Sequence, residues 1–201
     1  KACADIAARS YAASFLAGRT RLATARAGNV IGGGDWAPDR IVPDAVRAWS
    51  EGRPLILRSP RATRPWEHVL EPLGGYLALG QALLATDRFH GEAFNFGPPS
   101  GQVQTVQDVI RGLAGHWPGA LWRSEEPEGA PKENTLLMLS CDKALHLLDW
   151  RATLSFEETI QFTAEWYQAF ERRDADPWAV TAAQLDAYVS RARERGLAWA
   201  A

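Results

Sequence analysis

The chain has 201 residues, 46% hydrophobic and 23% charged, with a formal net charge of −2. That is enough apolar material for one substantial core, and the balanced charge argues against a nucleic-acid partner drawn in by a basic field. No apolar run reaches the length of a membrane helix and no signal peptide opens the chain. Cys3 and Cys141 form no CxxC and His68, His90, His116 and His146 lack metal-ligand spacing, so we expect a cytoplasmic protein without a metal.

Lys1 to about Gly18 reads as a helix, with Ile6, Ser10, Ala13 and Phe15 at small-or-apolar spacing and Gly18 as its stop. The chain opens inside this helix without an initiator methionine, so it reads as the later part of a longer protein. Leu22 to Ala27 reads as a strand, followed by a glycine loop to Pro38. The run RLATARAGNVIGGGDW (Arg21 to Trp36) organises the rest, because glycines at a strand end let a ligand approach the backbone and Asn29 offers a polar amide there. A glycine-rich surface turn would read the same way in isolation. The run lacks the GxxxxGK[ST] order of a phosphate loop, and nothing completes a coordination shell around Asp35 and Asp39.

Ile41, Val42, Ala45, Val46 and Trp49 mark a second helix, ended by Gly52, and Leu55 to Arg58 a short strand. Arg61 to Glu71 reads as a loop entering a strand. Leu73, Tyr76, Leu77, Gly80 and Leu84 recur at helical spacing, and Ala93 to Phe96 reads as a buried strand. Thr105 caps a helix whose inner face is Val106, Val109, Ile110 and Leu113. Gly119 to Glu133 is the loop candidate of the second half, Leu136 to Leu139 a strand, and Asp142 to Leu148 a helix. Ser155 with Glu158 predicts a capping box, and Thr181 with Gln184 repeats the signature before a final helix. Strands alternate with helices early and mix later, which predicts an α/β fold with an α+β appendage.

Taken together, KACADIAARSYAASF, RAGNVIGGGDWAPDRIVP, RPWEHVLEPLGGYL, AFNFGP and LSCDKALHLLDW resemble the later half of an extended short-chain dehydrogenase acting on nucleotide sugars, and within that family the members that dehydrate CDP-glucose. The resemblance covers nearly the whole chain; its tail pattern is shared with many nucleotide-sugar epimerases. It implies a Rossmann-type parallel sheet with a smaller mixed α+β substrate-binding domain. Residues 1–35 and 66–97 would belong to the dinucleotide-binding part, and 36–65 and 98–201 to the substrate part. The dinucleotide fingerprint and the tyrosine of the YxxxK pair would lie before Lys1.

The resemblance also implies roles. Lys1 matches the lysine that bonds the nicotinamide ribose of NAD and lowers the pKa of the catalytic tyrosine, since an ammonium favours a nearby phenolate. Asn29 matches an asparagine that bonds the substrate near its diphosphate, and the Val30 backbone would touch the nicotinamide. Arg64 matches an arginine on the phosphates, and Arg40 a cation there, with backbone contacts from Ile41 and Val42. Arg58 falls beside the nucleobase pocket, and Lys132 and Glu133 in the loop over the ribose and phosphates. Guanidinium groups suit a diphosphate because they donate in pairs, although a solvated charge is an arginine's ordinary fate. His68 is expected to be a packed, hydrogen-bonded histidine and not a base. The implied reaction is dehydration of CDP-glucose to the 4-keto-6-deoxy sugar nucleotide, by hydride abstraction at C4, water elimination across C5–C6 and hydride return. A 4-epimerase on the same scaffold and a non-catalytic nucleotide-binding relative are the alternatives. The first helix would form the interface of a homodimer or higher homo-oligomer.

Overall fold

The computed structural model describes residues 1–99, 101–125, 136–173 and 176–200. Helix α1 (Ala2–Tyr11) continues into a π-helical turn at Ala12–Leu16 and stops before Gly18, whose φ of 72° suits glycine. Ile6 and Phe15 are exposed, so the apolar spacing of this helix faces outward.

Strand β1 (Thr24–Ala27) is followed after one residue by β2 (Asn29–Ile31), so the glycine loop expected from Gly28 to Pro38 is interrupted by a second short strand. Helix α2 (Ile41–Ser50) leads to β3 (Leu55–Leu57). The expected loop of Arg61 to Glu71 instead holds β4 (Thr63–Arg64), β5 (Trp66–His68) and the start of α3 (Leu70–Ala85). Helix α3 runs where its periodicity predicts, but on the opposite face: Leu73, Leu77 and Leu84 are exposed, while Glu71, Pro72, Gly75 and Leu79 are buried. Gly75 is turned inward because a Cβ there would lie 2.2 Å from Phe96.

Strand β6 (Ala93–Phe96) pairs in parallel with β1, and β5 in parallel with β2. The switch between these pairs falls at Gly28. Its N–H donates to Phe96 O at 3.2 Å and to Glu67 Oε1 at 2.6 Å, while Asn29 N–H donates to Pro65 O at 2.7 Å. A Cβ on residue 28 would stand 2.2 Å from Pro65 O, so only glycine passes here.

Strand β7 (Gln104–Thr105) pairs antiparallel with β4 and runs into α4 (Val106–Gly115), where Thr105 and Asp108 form a reciprocal capping box. The stretch expected to loop from Gly119 holds β8 (Trp122–Ser124), parallel to β3. Leu136–Leu139 forms no strand. Helix α5 (Asp142–Leu148) follows, then α6 (Phe156–Arg172) with the predicted Ser155–Glu158 box, then α7 (Pro177–Glu194). Thr181 and Gln184 are not a cap: α7 starts at Pro177 behind Asp176, whose carboxylate accepts from Trp178 N. The Thr181 hydroxyl instead accepts from Trp166 Nε1 and donates to Pro177 O.

One core lies among α2, α4, α6 and the strands β3 and β5, and includes Val42, Val46, Leu57, Ile110, Ile160 and Tyr167. A second joins α3, β6 and α5 through Leu79, Phe94, Phe96, Ala144 and Trp150. Glu71 ties them to the C-terminal helices. Buried in α3, it accepts from Thr153 N, Leu154 N (2.6 Å) and the Tyr188 hydroxyl. No helix among the described residues is long and apolar enough to cross a membrane.

Candidate functional site

The β2 strand end, the loop after it, the start of α2 and the β4–β5 turn enclose a cavity of about 690 Å³. That is within the few-hundred to thousand Å³ typical of small-molecule sites. Asn29 is half-buried in its wall and Val30 stands beside it at β2. Arg40 is the N-cap of α2, and Ile41 and Val42 are its first two helical residues. Their backbone N–H groups have no intrahelical acceptor, so they present two donors and the positive end of the helix dipole. Arg64 enters from β4, where its guanidinium donates to Thr63 O at 2.8 Å. Lys1 completes the rim.

Asn29, Val30, Arg40, Ile41, Val42, Arg64 and Lys1, although far apart in the chain, therefore line one cavity. Arg58 follows β3, is exposed, and is not among the lining residues. Lys132 and Glu133 lie outside the described residues. Asp35 and Asp39 also line the wall, so three cations face two carboxylates. Asp35 is engaged locally, its Oδ1 accepting from Ala37 N. Asp39 holds a left-handed backbone, φ 60°, that turns the chain into α2.

Trp66 and Val106 also line the wall, although the sequence reading gave neither of them a site role. The Trp66 indole N–H is buried without a hydrogen-bond partner among the described residues, an unspent donor beside the cavity. The RPW text named Arg64; its tryptophan was the available signal.

The glycines of the loop serve packing before ligand access. A Cβ on Gly33 would fall 2.0 Å from the Trp166 ring, and one on Gly32 2.9 Å from Val69. Behind the wall, Glu67, His68 and Glu71 are all buried. Burial pushes the Glu67 carboxyl up to about 8, against the Gly28 N–H that it accepts. Burial drives the His68 imidazole down to about 4; its Nδ1 accepts from Leu70 N, and its ring meets Phe162 edge-on. This is the packed, hydrogen-bonded histidine expected.

A larger, more open depression of about 1190 Å³ runs between residues 17–21 and α3, and none of the predicted site residues line it. Among the described residues no cluster of three His, Cys, Asp or Glu side chains could hold a metal ion.

No protein-family model matches the chain. Solved structures share its fold. UDP-glucuronic acid 4-epimerase from Bacillus cereus aligns with a TM-score of 0.68 at 19% identity, over 85% of this chain and 51% of that one. An NAD-dependent NDP-hexosamine 5,6-dehydratase of tunicamycin biosynthesis aligns with a TM-score of 0.65 at 25% identity, over 82% and 51%. The parallel strand pairs are thus part of a Rossmann-type fold of the kind these enzymes use. In sequence the chain is 37% identical over 179 residues to CDP-glucose 4,6-dehydratase from Salmonella typhimurium, covering 86% of this chain and 50% of that protein. The chain is similar to nucleotide-sugar dehydratases and epimerases, and the resemblance carried by its motifs is borne out. It spans about half the length of the curated relative it matches.

Proposed function

We propose that the intact protein dehydrates CDP-glucose, or a closely related CDP-hexose, to the 4-keto-6-deoxy sugar nucleotide, and that this chain supplies most of its substrate pocket. The observation that carries the reading is the convergence of Asn29, Arg40, Arg64 and the α2 N-terminus on one cavity. A sugar diphosphate carries about two negative charges, and guanidinium forks with unsatisfied backbone donors suit it. In this reading Arg64 and Arg40 hold the diphosphate, Ile41 and Val42 donate from the backbone, and Asn29 orients the sugar side of it.

The residues present also fit the nicotinamide end of NAD: Lys1 and the Val30 backbone line the same cavity, and the Trp66 N–H is unpartnered beside it. When bound, NAD supplies the hydride acceptor and donor. Lys1 holds the nicotinamide ribose, and its charge favours the phenolate of a tyrosine that the family carries ahead of this lysine. Residues 1–35 and 66–97 serve the dinucleotide side, and 36–65 and 98–201 the substrate side. Homodimerisation through α1 belongs to the same reading, supported by a helix none of whose residues is buried; sedimentation of the intact protein tests it.

Incubation of the intact protein with CDP-glucose and NAD, followed by mass spectrometry, tests the function. A product lighter by one water is expected. An isomer of unchanged mass would replace dehydration by epimerisation, and no turnover with any nucleotide sugar would overturn both. Arg64→Ala is expected to weaken CDP binding by about 1.5–3 kcal/mol, the worth of a charged hydrogen bond. Unchanged affinity in a titration would remove Arg64 from the pocket.

A further inference from the structure

We infer that Glu67 is a positioning residue, whose carboxyl sets where Asn29 meets the substrate by holding the Gly28 N–H at the seam between the two parallel strand pairs. The inference rests on the reading of the cavity just given.

At Gly28 the chain leaves β1, paired with β6, and enters β2, paired with β5. A seam of this kind has no continuous ladder to hold it, so its geometry depends on what bridges it. Two acceptors share the Gly28 N–H. Phe96 O belongs to β6, on one side of the seam, at 3.2 Å; Glu67 Oε1 belongs to β5, on the other, at 2.6 Å. The shorter bond is the side-chain one. Asn29 follows immediately, its own N–H fixed to Pro65 O at 2.7 Å and its residue in the cavity wall. Glu67 itself is only 2% exposed, and its second oxygen has no partner among the described residues. A leucine in its place would fill the space at less desolvation cost, but it could not accept from the Gly28 N–H.

The groups that face Glu67 from neighbouring elements are Glu71 and Tyr76 on α3, Cys141 at the start of α5 and Tyr188 on α7. All are neutral acids that become negative when they ionise, and the nearby guanidinium of Arg195 acts on Glu71. Glu67 is therefore held in its neutral form, as an acceptor through Oε1. Ionising it places a second negative charge beside Glu71, a repulsion that competes with the bond to the Gly28 N–H.

The test compares the intact protein with Glu67→Leu and Glu67→Gln. In the leucine variant, KM for CDP-glucose is expected to rise about tenfold with kcat little changed, the loss of roughly one buried hydrogen bond. Hydrogen exchange at the Gly28 amide should quicken by a similar factor. The glutamine variant keeps an acceptor and cannot ionise; it should restore wild-type KM at pH 7 and lack the rise in KM expected of wild type between pH 7 and 9. A wild-type KM and unchanged Gly28 exchange in Glu67→Leu would overturn the inference. If Glu67→Leu does not fold, a glutamine variant that retains the wild-type alkaline rise overturns it. If wild type turns over no nucleotide sugar, the proposed function fails, while the exchange comparison still decides whether Glu67 holds the seam.

Discussion

Glu67, His68 and Glu71 put three ionisable side chains in the interior, and the signs of their shifts predict how stability follows pH. Burial raises Glu67 to about 8 and Glu71 to about 6 from an ordinary 4.5. Each binds its proton more tightly folded than unfolded. Their contribution is therefore complete below pH 4.5 and is lost as pH rises through about 6 for Glu71 and about 8 for Glu67. Burial lowers His68 from 6.5 to about 4, so its contribution is complete above pH 6.5 and is lost as pH falls toward 4. Between pH 6.5 and 8 only Glu67 is changing among the three. Urea unfolding should show wild type losing stability across that window and Glu67→Gln holding level; parallel curves would contradict the assignment. At this scale the sequence named His68 as packed, but WEHVLE does not disclose that both glutamates turn inward. Acidic residues are ordinarily exposed, and the Gly28, Thr153 and Leu154 amides and the Tyr188 hydroxyl that they meet explain the exception.

Among the elements, those with local signals were legible and those made by distant partners were not. Ser155 and Glu158 read as a capping box and form one; Glu158 also accepts from Arg191 and Arg195 on or just beyond α7. Ser155→Ala should cost about 0.5–2 kcal/mol, seen as a Tm lower by a few degrees. Thr181 and Gln184 carry the same signature falsely, because Asp176 before Pro177 had already started the helix and Gln184 is spent on Phe162 O. Strand β8 lies in a stretch rich in glycine, proline and charge and exists through its pairing with β3, a partner no local pattern names. The apolar residues of α3 gave its length but not its buried face, since Gly75 lets Phe96 in and the leucines stay outside. The loop glycines divide similarly. Gly33→Ala should destabilise by about 1–3 kcal/mol through overpacking against Trp166, measurable by denaturant unfolding even without ligand. An unchanged midpoint would return that glycine to a role in ligand approach.

Across the whole molecule the cavity is assembled from residues scattered between Lys1 and Val106. Motif text was enough to bring Asn29, Arg40 and Arg64 together, but Trp66 and Val106 join them only through the placement of β5 and α4. The wall is braced from far along the sequence: the Tyr167 hydroxyl of α6 donates to Asp35 O at 2.6 Å, and the neighbouring Trp166 ring fills the space under Gly33. Tyr167→Phe should cost about 0.5–1.5 kcal/mol, the net worth of one such bond. This bracing has a consequence for synthesis. Asp35 leaves the ribosome 132 residues before Tyr167, so the nascent glycine segment waits through that whole interval before its support arrives. Chains stalled ahead of Trp166 should be cut readily by protease between Gly32 and Pro38, and chains stalled after α7 has emerged should resist. On this account the glycine segment has no support beneath it until α6 has been made.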